Sequence, residues 1–141
     1  MGEHRLVHDL IGLLADALYE QGRFDETQQL LDEAGTRPWN TVYSTWLTEA
    51  KLLARRGQFT AARTLVGQAE ARLPPASSSM LRANALKARA EVERLAGAPG
   101  QAAVSLRAAL DIYERQRSLA LAGQARTALA GLAAQPGRGP A

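Results

Sequence analysis

Three groups of residues have types and spacings that could form a metal site, a catalytic site or a phosphate-binding site. His4 and His8 are one helical turn apart, so two imidazoles would face one metal ion, but no third ligand follows at helical spacing. The serines at 77–79 offer hydroxyl groups, but neither histidine is near them in sequence to act as a base. The stretch 97–100 holds two glycines without the preceding strand or the lysine of a phosphate-binding loop. We therefore predict no catalytic residue, no metal site and no cofactor, and expect that the protein is not an enzyme.

The composition is ordinary for a single folded domain. Of 141 residues, 46% are hydrophobic and 22% are charged, which is enough apolar material to bury a core. The absence of cysteine excludes disulfides and thiolate metal sites. His8, Asp9 and Asp16 interrupt the N-terminal apolar stretch, and no apolar run approaches the roughly 18 residues of a membrane span. We expect a cytoplasmic protein with no membrane contact.

Charge is divided unequally along the chain. Residues 1–33 hold eight acidic and two basic residues, a net charge of −6, whereas residues 34–141 carry +9. A basic half is typical of nucleic-acid binding proteins. Its arginines are scattered, however, and of the seven aromatic residues only Tyr113 lies beyond Phe59, so no stacking platform exists for single strands. Solvated helix faces explain the arginines better, and we predict no nucleic-acid partner.

One short turn phrase occurs three times, each time between two stretches with helical apolar periodicity. In each copy a glycine ends one helix and the next helix starts within a few residues, which is typical of a helical hairpin. The turn glycines are 35 and 40 residues apart, and repeats of this length predict an α-solenoid. The three copies are Gly22-Arg23-Phe24, Gly57-Gln58-Phe59 and Gly97-Ala98-Pro99.

The predicted fold class is all-α, an α-solenoid of about three helical hairpins plus a C-terminal capping helix, within one domain at 1–133. Asp25 followed by Gln28 predicts a capping box at the start of the second helix. The tail at 134–141 has too little apolar content to fold and is predicted to be disordered. The expected units are about 5–37, 40–75 and 79–115, followed by a final helix at 118–133.

The units resemble the tetratricopeptide repeat, whose pattern is W-x2-L-G-x2-Y…A-x3-F…P. The third unit places Glu93 where that family usually has an aromatic residue. The resemblance implies pairs of antiparallel helices stacked around a concave face that binds protein segments. Matching residues are Trp46, Ala50, Leu53, Ala62, Val66, Ala69 and Pro74 in the middle unit, Leu14, Ala15, Leu18, Leu31 and Ala34 in the first, and Ala90, Ala102, Leu106 and Ala109 in the third.

A closer likeness is to the C-terminal repeat tail of large actinobacterial regulators. In those proteins cyclase-homology or nucleotide-binding ATPase modules precede a tetratricopeptide array. The phrases LADALYEQGRFDET, AKLLARRGQFTAARTLV and ARAEVERLAGAPGQAAVSLRAALDIYERQ carry this likeness. It implies an interaction array, detached or truncated, without cyclase or ATPase activity.

In the family's geometry the first helix of each pair lines the concave groove. The resemblance therefore implies a groove that is acidic at one end and mostly basic in its middle and far end, suited to an extended or helical peptide of mixed charge. The implied partner-binding residues are Asp9, Asp16, Tyr19 and Glu20 in the first unit, Ser44, Leu47, Lys51 and Arg55 in the second, and Asn84, Lys87, Glu91 and Arg94 in the third.

The first predicted helix is apolar over a wider arc than one partner helix can cover. Solenoid ends normally carry polar caps, so this arc predicts contact with a lost repeat or with another protein. Self-association through the apolar first helix, between its acidic flank and the arginines in the C-terminal part of the chain, is one hypothesis. The arc consists of Leu6, Val7, Leu10, Ile11, Leu13, Leu14, Ala17 and Leu18.

The repeats together with the family resemblance predict a non-enzymatic scaffold that binds a peptide or protein segment in its concave groove. The likeness to actinobacterial regulators implies a role in bacterial signalling or transcriptional regulation. The alternative is a truncated C-terminal fragment of a larger regulator that serves oligomerisation or interdomain packing.

Overall fold

The described part of the chain forms seven α-helices in series. The computed structural model describes residues 2–35, 43–73 and 79–134, and describes side chains over 11–33, 45–73 and 79–134. These residues contain no strand, so the predicted all-α class is confirmed. None of the described helices is long and apolar enough to cross a membrane. The helices are α1 (Gly2–Glu20), α2 (Phe24–Gly35), α3 (Tyr43–Arg55), α4 (Phe59–Ala71), α5 (Ser79–Leu95), α6 (Pro99–Arg115) and α7 (Leu119–Ala134).

The three predicted glycine turns share one backbone conformation. Gly22, Gly57 and Gly97 have φ of 78°, 80° and 81°, a region that costs glycine little because it has no Cβ. The amide of Gly57 donates to the Ala54 carbonyl at 3.0 Å and the next amide donates to Leu53 at 2.9 Å, which is the Schellman pattern that closes a helix. These turns make each pair of flanking helices adjacent.

A fourth turn of the same kind joins α6 to α7, where the sequence offers no glycine. Arg117 occupies the left-handed position with φ of 57°. Its amide donates to the Glu114 carbonyl at 3.0 Å, and the Ser118 amide donates to Tyr113 at 2.9 Å. This turn conformation therefore occurs four times in the described structure. In the last turn a non-glycine residue adopts the left-handed backbone conformation, which is strained for a residue with a Cβ.

Replacing Arg117 by glycine is expected to raise the free energy of unfolding by about 0.5 kcal/mol. The left-handed conformation costs a non-glycine residue about 1 kcal/mol, and the greater freedom of glycine in the unfolded chain offsets part of that gain. Thermal unfolding followed by circular dichroism measures the change. Gly57→Ala is the matched opposite: its added Cβ meets nothing within 4 Å, so its expected loss of about 1 kcal/mol is purely conformational. A loss of stability in Arg117→Gly would contradict this account of the turn.

Five positions after each turn residue with positive φ, a buried side chain lies where two helices approach closely. Thr27, Ala62, Ala102 and Ala122 hold these positions, and none is more than 1% exposed. Thr27 satisfies its hydroxyl by donating to the Arg23 carbonyl at 2.7 Å. Small side chains at these positions let the second helix of each pair approach the first.

The core is a succession of clusters, each shared by three consecutive helices. Buried side chains of α1, α2 and α3 form one cluster, those of α3, α4 and α5 form the next, and two more join α5, α6 and α7. Tyr113 is fully buried in one of the last two, and Tyr19 is 3% exposed in the first. Packing thus runs along the chain in sequence order.

Glu93, at the position where an aromatic residue is expected, is a buried carboxylate paired with the exposed Arg63. Glu93 is 8% exposed, and both its carboxylate oxygens accept hydrogen bonds from Arg63 of α4, at 2.9 and 2.8 Å. The Arg63 hydrogen bonds lower the pKa of Glu93 below its usual range, against the opposing effect of burial. Arg89 and Glu70 form a second ion pair between α5 and α4. Polar pairing therefore joins α4 to α5 where an aromatic residue was expected.

Two predicted helix boundaries are wrong by one or two residues. The predicted cap residue Asp25 lies inside the first turn, because α2 begins at Phe24. The Gln28 side chain donates to Asp32 and Glu49 instead. The disordered tail is predicted to begin at residue 134, but α7 extends to Ala134.

Candidate functional site

A cavity of about 970 Å³ lies between α1, α3, α5 and α7. We call it the groove. Its first wall is charged and comes from α1, α3 and α5, the helices that the family resemblance assigns to the binding surface. Six of the twelve residues implied by the family resemblance line it: Asp16, Glu20, Lys51, Lys87, Glu91 and Arg94.

The second wall of the groove comes from α7 and carries no charge. Gly123, Thr127 and Gly131 recur every four residues, which places them on one face of the helix. Gln124 and Ala128 complete this wall, and Ala90, Leu106 and Leu132 add apolar surface from α5, α6 and α7. The side chains are small enough for the backbone of a ligand to approach α7 closely.

Lys51 is the most buried charge in the groove. Its side chain is 10% exposed, and its ammonium donates to Asp16 Oδ1 at 2.7 Å and lies 3.9 Å from Glu20 Oε1. The same Nζ lies over the ring of Tyr19, 4.4 Å from its centroid. Asp16 and Glu20 remain largely exposed, at 50% and 62%. Lys51 therefore joins α3 to α1, and its charge is already matched within the chain.

Glu91 is the centre of a second network that joins three helices. Its carboxylate accepts from the Tyr19 hydroxyl at 2.8 Å and from Arg94 Nε at 2.7 Å. Arg55 donates to the Tyr19 hydroxyl at 2.9 Å and its guanidinium lies 3.5 Å from Glu91. Glu91 thus connects α5 to both α1 and α3.

Burial and hydrogen bonding shift the pKa of Glu91 in opposite directions. Burial tends to raise the pKa of Glu91, but hydrogen bonds from Arg94 and Tyr19, with the charges of Arg94 and Arg55, hold that pKa below its usual range. Burial, together with the charge of Glu91, raises the pKa of the Tyr19 hydroxyl. Glu91 is therefore ionised and Tyr19 neutral at physiological pH, and the network keeps its donors and acceptors in place.

Lys87 is paired differently from the other charged residues of the groove. Its ammonium donates to the neutral Gln124 Oε1 at 2.8 Å, and it forms no ion pair with any carboxylate in the described part of the chain. An ammonium has three donors, so two remain for a ligand. Lys87 also bridges the charged wall to the α7 wall.

The other described residues of the predicted partner-binding set do not line the groove. Leu47 is 7% exposed in the cluster of α3, α4 and α5. Its place in the partner-binding set is wrong, because helices pack around α3 on that side. Asn84 lies outside the groove, and its Oδ1 accepts from the Tyr113 hydroxyl at 2.9 Å. Tyr19 and Arg55 belong to the Glu91 network. The side chains of Asp9 and Ser44 lie outside those described.

Two signals in the sequence would have anticipated more of this site. Opposite charges stand one repeat apart, as in Asp16 with Lys51 and Arg55 with Glu91, which is the spacing that makes neighbouring helices exchange ion pairs. The small residues of α7 recur at helical spacing, which indicates a helix face that leaves space beside it.

No group of three or more His, Cys, Asp or Glu among the described side chains is arranged to hold a metal ion. Both histidines lie outside those side chains. Comparisons of the chain with protein-family models, with curated proteins and with solved structures find no match.

Proposed function

We propose that the protein is a tetratricopeptide-like α-solenoid, a non-enzymatic scaffold that binds a protein segment in the groove. Four turns of one kind and core clusters shared by successive helices support the solenoid arrangement. Buried Ala15, Ala50 and Ala90, each at most 2% exposed, stand at the small-residue position of the repeat. A role in bacterial signalling or transcriptional regulation is part of this proposal.

The groove is the main observation in support of peptide binding. Its volume of about 970 Å³ is at the upper end of the usual range for ligand pockets, so a short peptide segment fits. One wall is charged, and the other is uncharged and carries mostly small residues. That combination suits a segment with one polar and one apolar side.

The ion pairs within the groove limit which charged groups of a ligand it can bind. Lys51 and Glu91 are matched by partners inside the chain, and pulling either from its partner would be costly. Lys87, whose partner is a neutral amide, is the lining cation best placed to meet a ligand carboxylate. The preferred segment therefore carries an acidic residue beside small or apolar residues.

Filling the groove from α7 is expected to weaken peptide binding without disturbing the fold. A Cβ at Gly131 meets nothing within 4 Å, so Gly131→Trp places an indole in the groove without a backbone clash. Peptides selected from a phage-displayed random library against the wild-type protein supply the probe. We expect them to be enriched in acidic residues and to bind Gly131→Trp and Lys87→Glu at least roughly tenfold more weakly, measured by fluorescence polarisation.

Gly67→Trp is the matched control, because Gly67 lies on α4, outside the groove, and its added Cβ also has open space. Peptide affinity for this variant should equal that of the wild type. Selected peptides that bind Gly131→Trp as tightly as wild type would place the binding surface elsewhere.

A further inference from the structure

The outer face of α1 presents large apolar side chains to solvent. Leu13 is 69% exposed and Leu14 is 52% exposed, and Ala17 beside them is also exposed. We call these three residues the α1 face. Adjacent exposed leucines on one helix are typical of an interaction surface.

A shallow crevice of about 300 Å³ opens between α6 and α7, in the last part of the described chain. We call it the α6/α7 crevice. It is mostly apolar, and Arg107 is its charged residue. Arg107 is exposed and forms no ion pair with any described residue. The other lining residues are Pro99, Gly100, Ala103, Leu129, Leu132 and Ala133.

The regions that carry these two surfaces have opposite charge. Residues 11–33 of α1 and α2 hold six acidic residues and one basic residue, a net charge of −5. Residues 99–134 of α6 and α7 hold four arginines and two acidic residues, a net charge of +2. Opposite potentials attract two surfaces and set their orientation, whereas two α1 faces would bring like charges together.

We propose that the α1 face of one copy docks in the α6/α7 crevice of a second copy, so that copies associate head to tail. The leucines supply the protruding apolar surface and the crevice supplies the recess. Arg107 meets the acidic first hairpin. The two surfaces are different and lie in different parts of the chain, so the contact is heterologous and each complex keeps a free surface of each kind for further copies.

The small size of the contact and its charge predict weak association that depends on concentration and salt. We expect a Kd on the order of 10–100 μM. Sedimentation velocity should show the average mass rising above the 15.1 kDa monomer as protein concentration increases. Raising the salt from about 0.05 to about 0.5 M should weaken the association several-fold.

Two blocked variants separate this arrangement from its alternatives. Leu13→Gln with Leu14→Gln blocks the α1 face. Gly100→Gln with Arg107→Glu blocks the crevice, and a Cβ at Gly100 meets nothing within 4 Å. Each blocked variant alone should remain monomeric at concentrations where the wild type associates. An equimolar mixture should form a heterodimer, because one intact surface of each kind remains.

Matched controls are Leu119→Gln and Arg82→Glu, since Leu119 is 81% exposed and Arg82 is exposed, and both lie outside the two surfaces. They should associate like the wild type, and circular dichroism should show every variant folded. A wild-type protein that stays monomeric throughout would overturn the proposal and leave the α1 face to a different partner. Self-association that persists in the crevice-blocked variant would replace the proposal with α1-to-α1 pairing.

Discussion

Replacing Tyr113 by alanine is expected to lower the free energy of unfolding by about 3–5 kcal/mol. Tyr113 has no exposed surface and packs in the cluster that joins α5, α6 and α7. Its hydroxyl donates to Asn84 Oδ1 at 2.9 Å. Burial, with a contribution from the Asp16 charge, raises the pKa of Tyr113 to about 12, so the phenol is neutral at pH 7. The substitution removes the ring and leaves a cavity where three helices meet.

Urea unfolding followed by two probes measures both the size and the extent of this effect. Circular dichroism reports on all the helices, whereas both tryptophans, at positions 39 and 46, report on the first half of the chain. Because α7 packs mainly on α6, Tyr113→Ala should move the circular dichroism transition to lower urea before the tryptophan transition.

Tyr113→Phe separates packing from hydrogen bonding in the same test. Asn84 is exposed and water can replace the lost donor, so the expected loss is only about 0.5–1 kcal/mol. If Tyr113→Ala cost no more than Tyr113→Phe, the ring would not hold the three helices together as described.

The turns show which parts of this fold can be predicted from the sequence. Gly22, Gly57 and Gly97 are recognisable because a glycine between two amphipathic stretches is the usual way to adopt a positive φ. Arg117 adopts the same conformation without that marker, because the packing of α6 on α7 overrides its local preference. The predicted helix ends at 115 and 118 already place a connection at Arg117, but its left-handed conformation could be found only from the structure.

The groove shows the same division between local pattern and tertiary contact. The family resemblance assigns Asp16, Lys51 and Glu91 to one concave face, and the structure brings them to one cavity. The resemblance does not say which charges meet. It implies an acidic end and a mostly basic middle and far end, whereas in the structure opposite charges on neighbouring helices pair with each other. It also places Leu47 in the groove, which is wrong because exposure depends on which neighbours surround a helix.

Reversing the charge of Lys51 is expected to lower the free energy of unfolding by about 3 kcal/mol. Such a variant would lose stability whether or not Lys51 contacts a ligand. Lys51→Glu places a carboxylate in a site where the side chain is 10% exposed, beside Asp16 and Glu20. The ammonium now above the Tyr19 ring would be replaced by an anion that the electron-rich face repels. Chemical denaturation of Lys51→Glu measures the loss.

Three further variants identify the cause of that loss. Lys51→Met keeps the apolar stem, and half-exposed Asp16 can be hydrated, so its expected cost is below about 1 kcal/mol. Adding Asp16→Lys to Lys51→Glu restores an opposite-charge pair and should recover a large part of the loss, which a double-mutant cycle quantifies. Lys87→Glu, whose native partner is the neutral Gln124, should change stability by no more than about 0.5 kcal/mol. Equal losses for Lys51→Glu and Lys87→Glu would mean that the Lys51 ion pairs do not stabilise the contact between α1 and α3. The predicted difference makes Lys87, and not Lys51, the position at which charge reversal tests ligand binding.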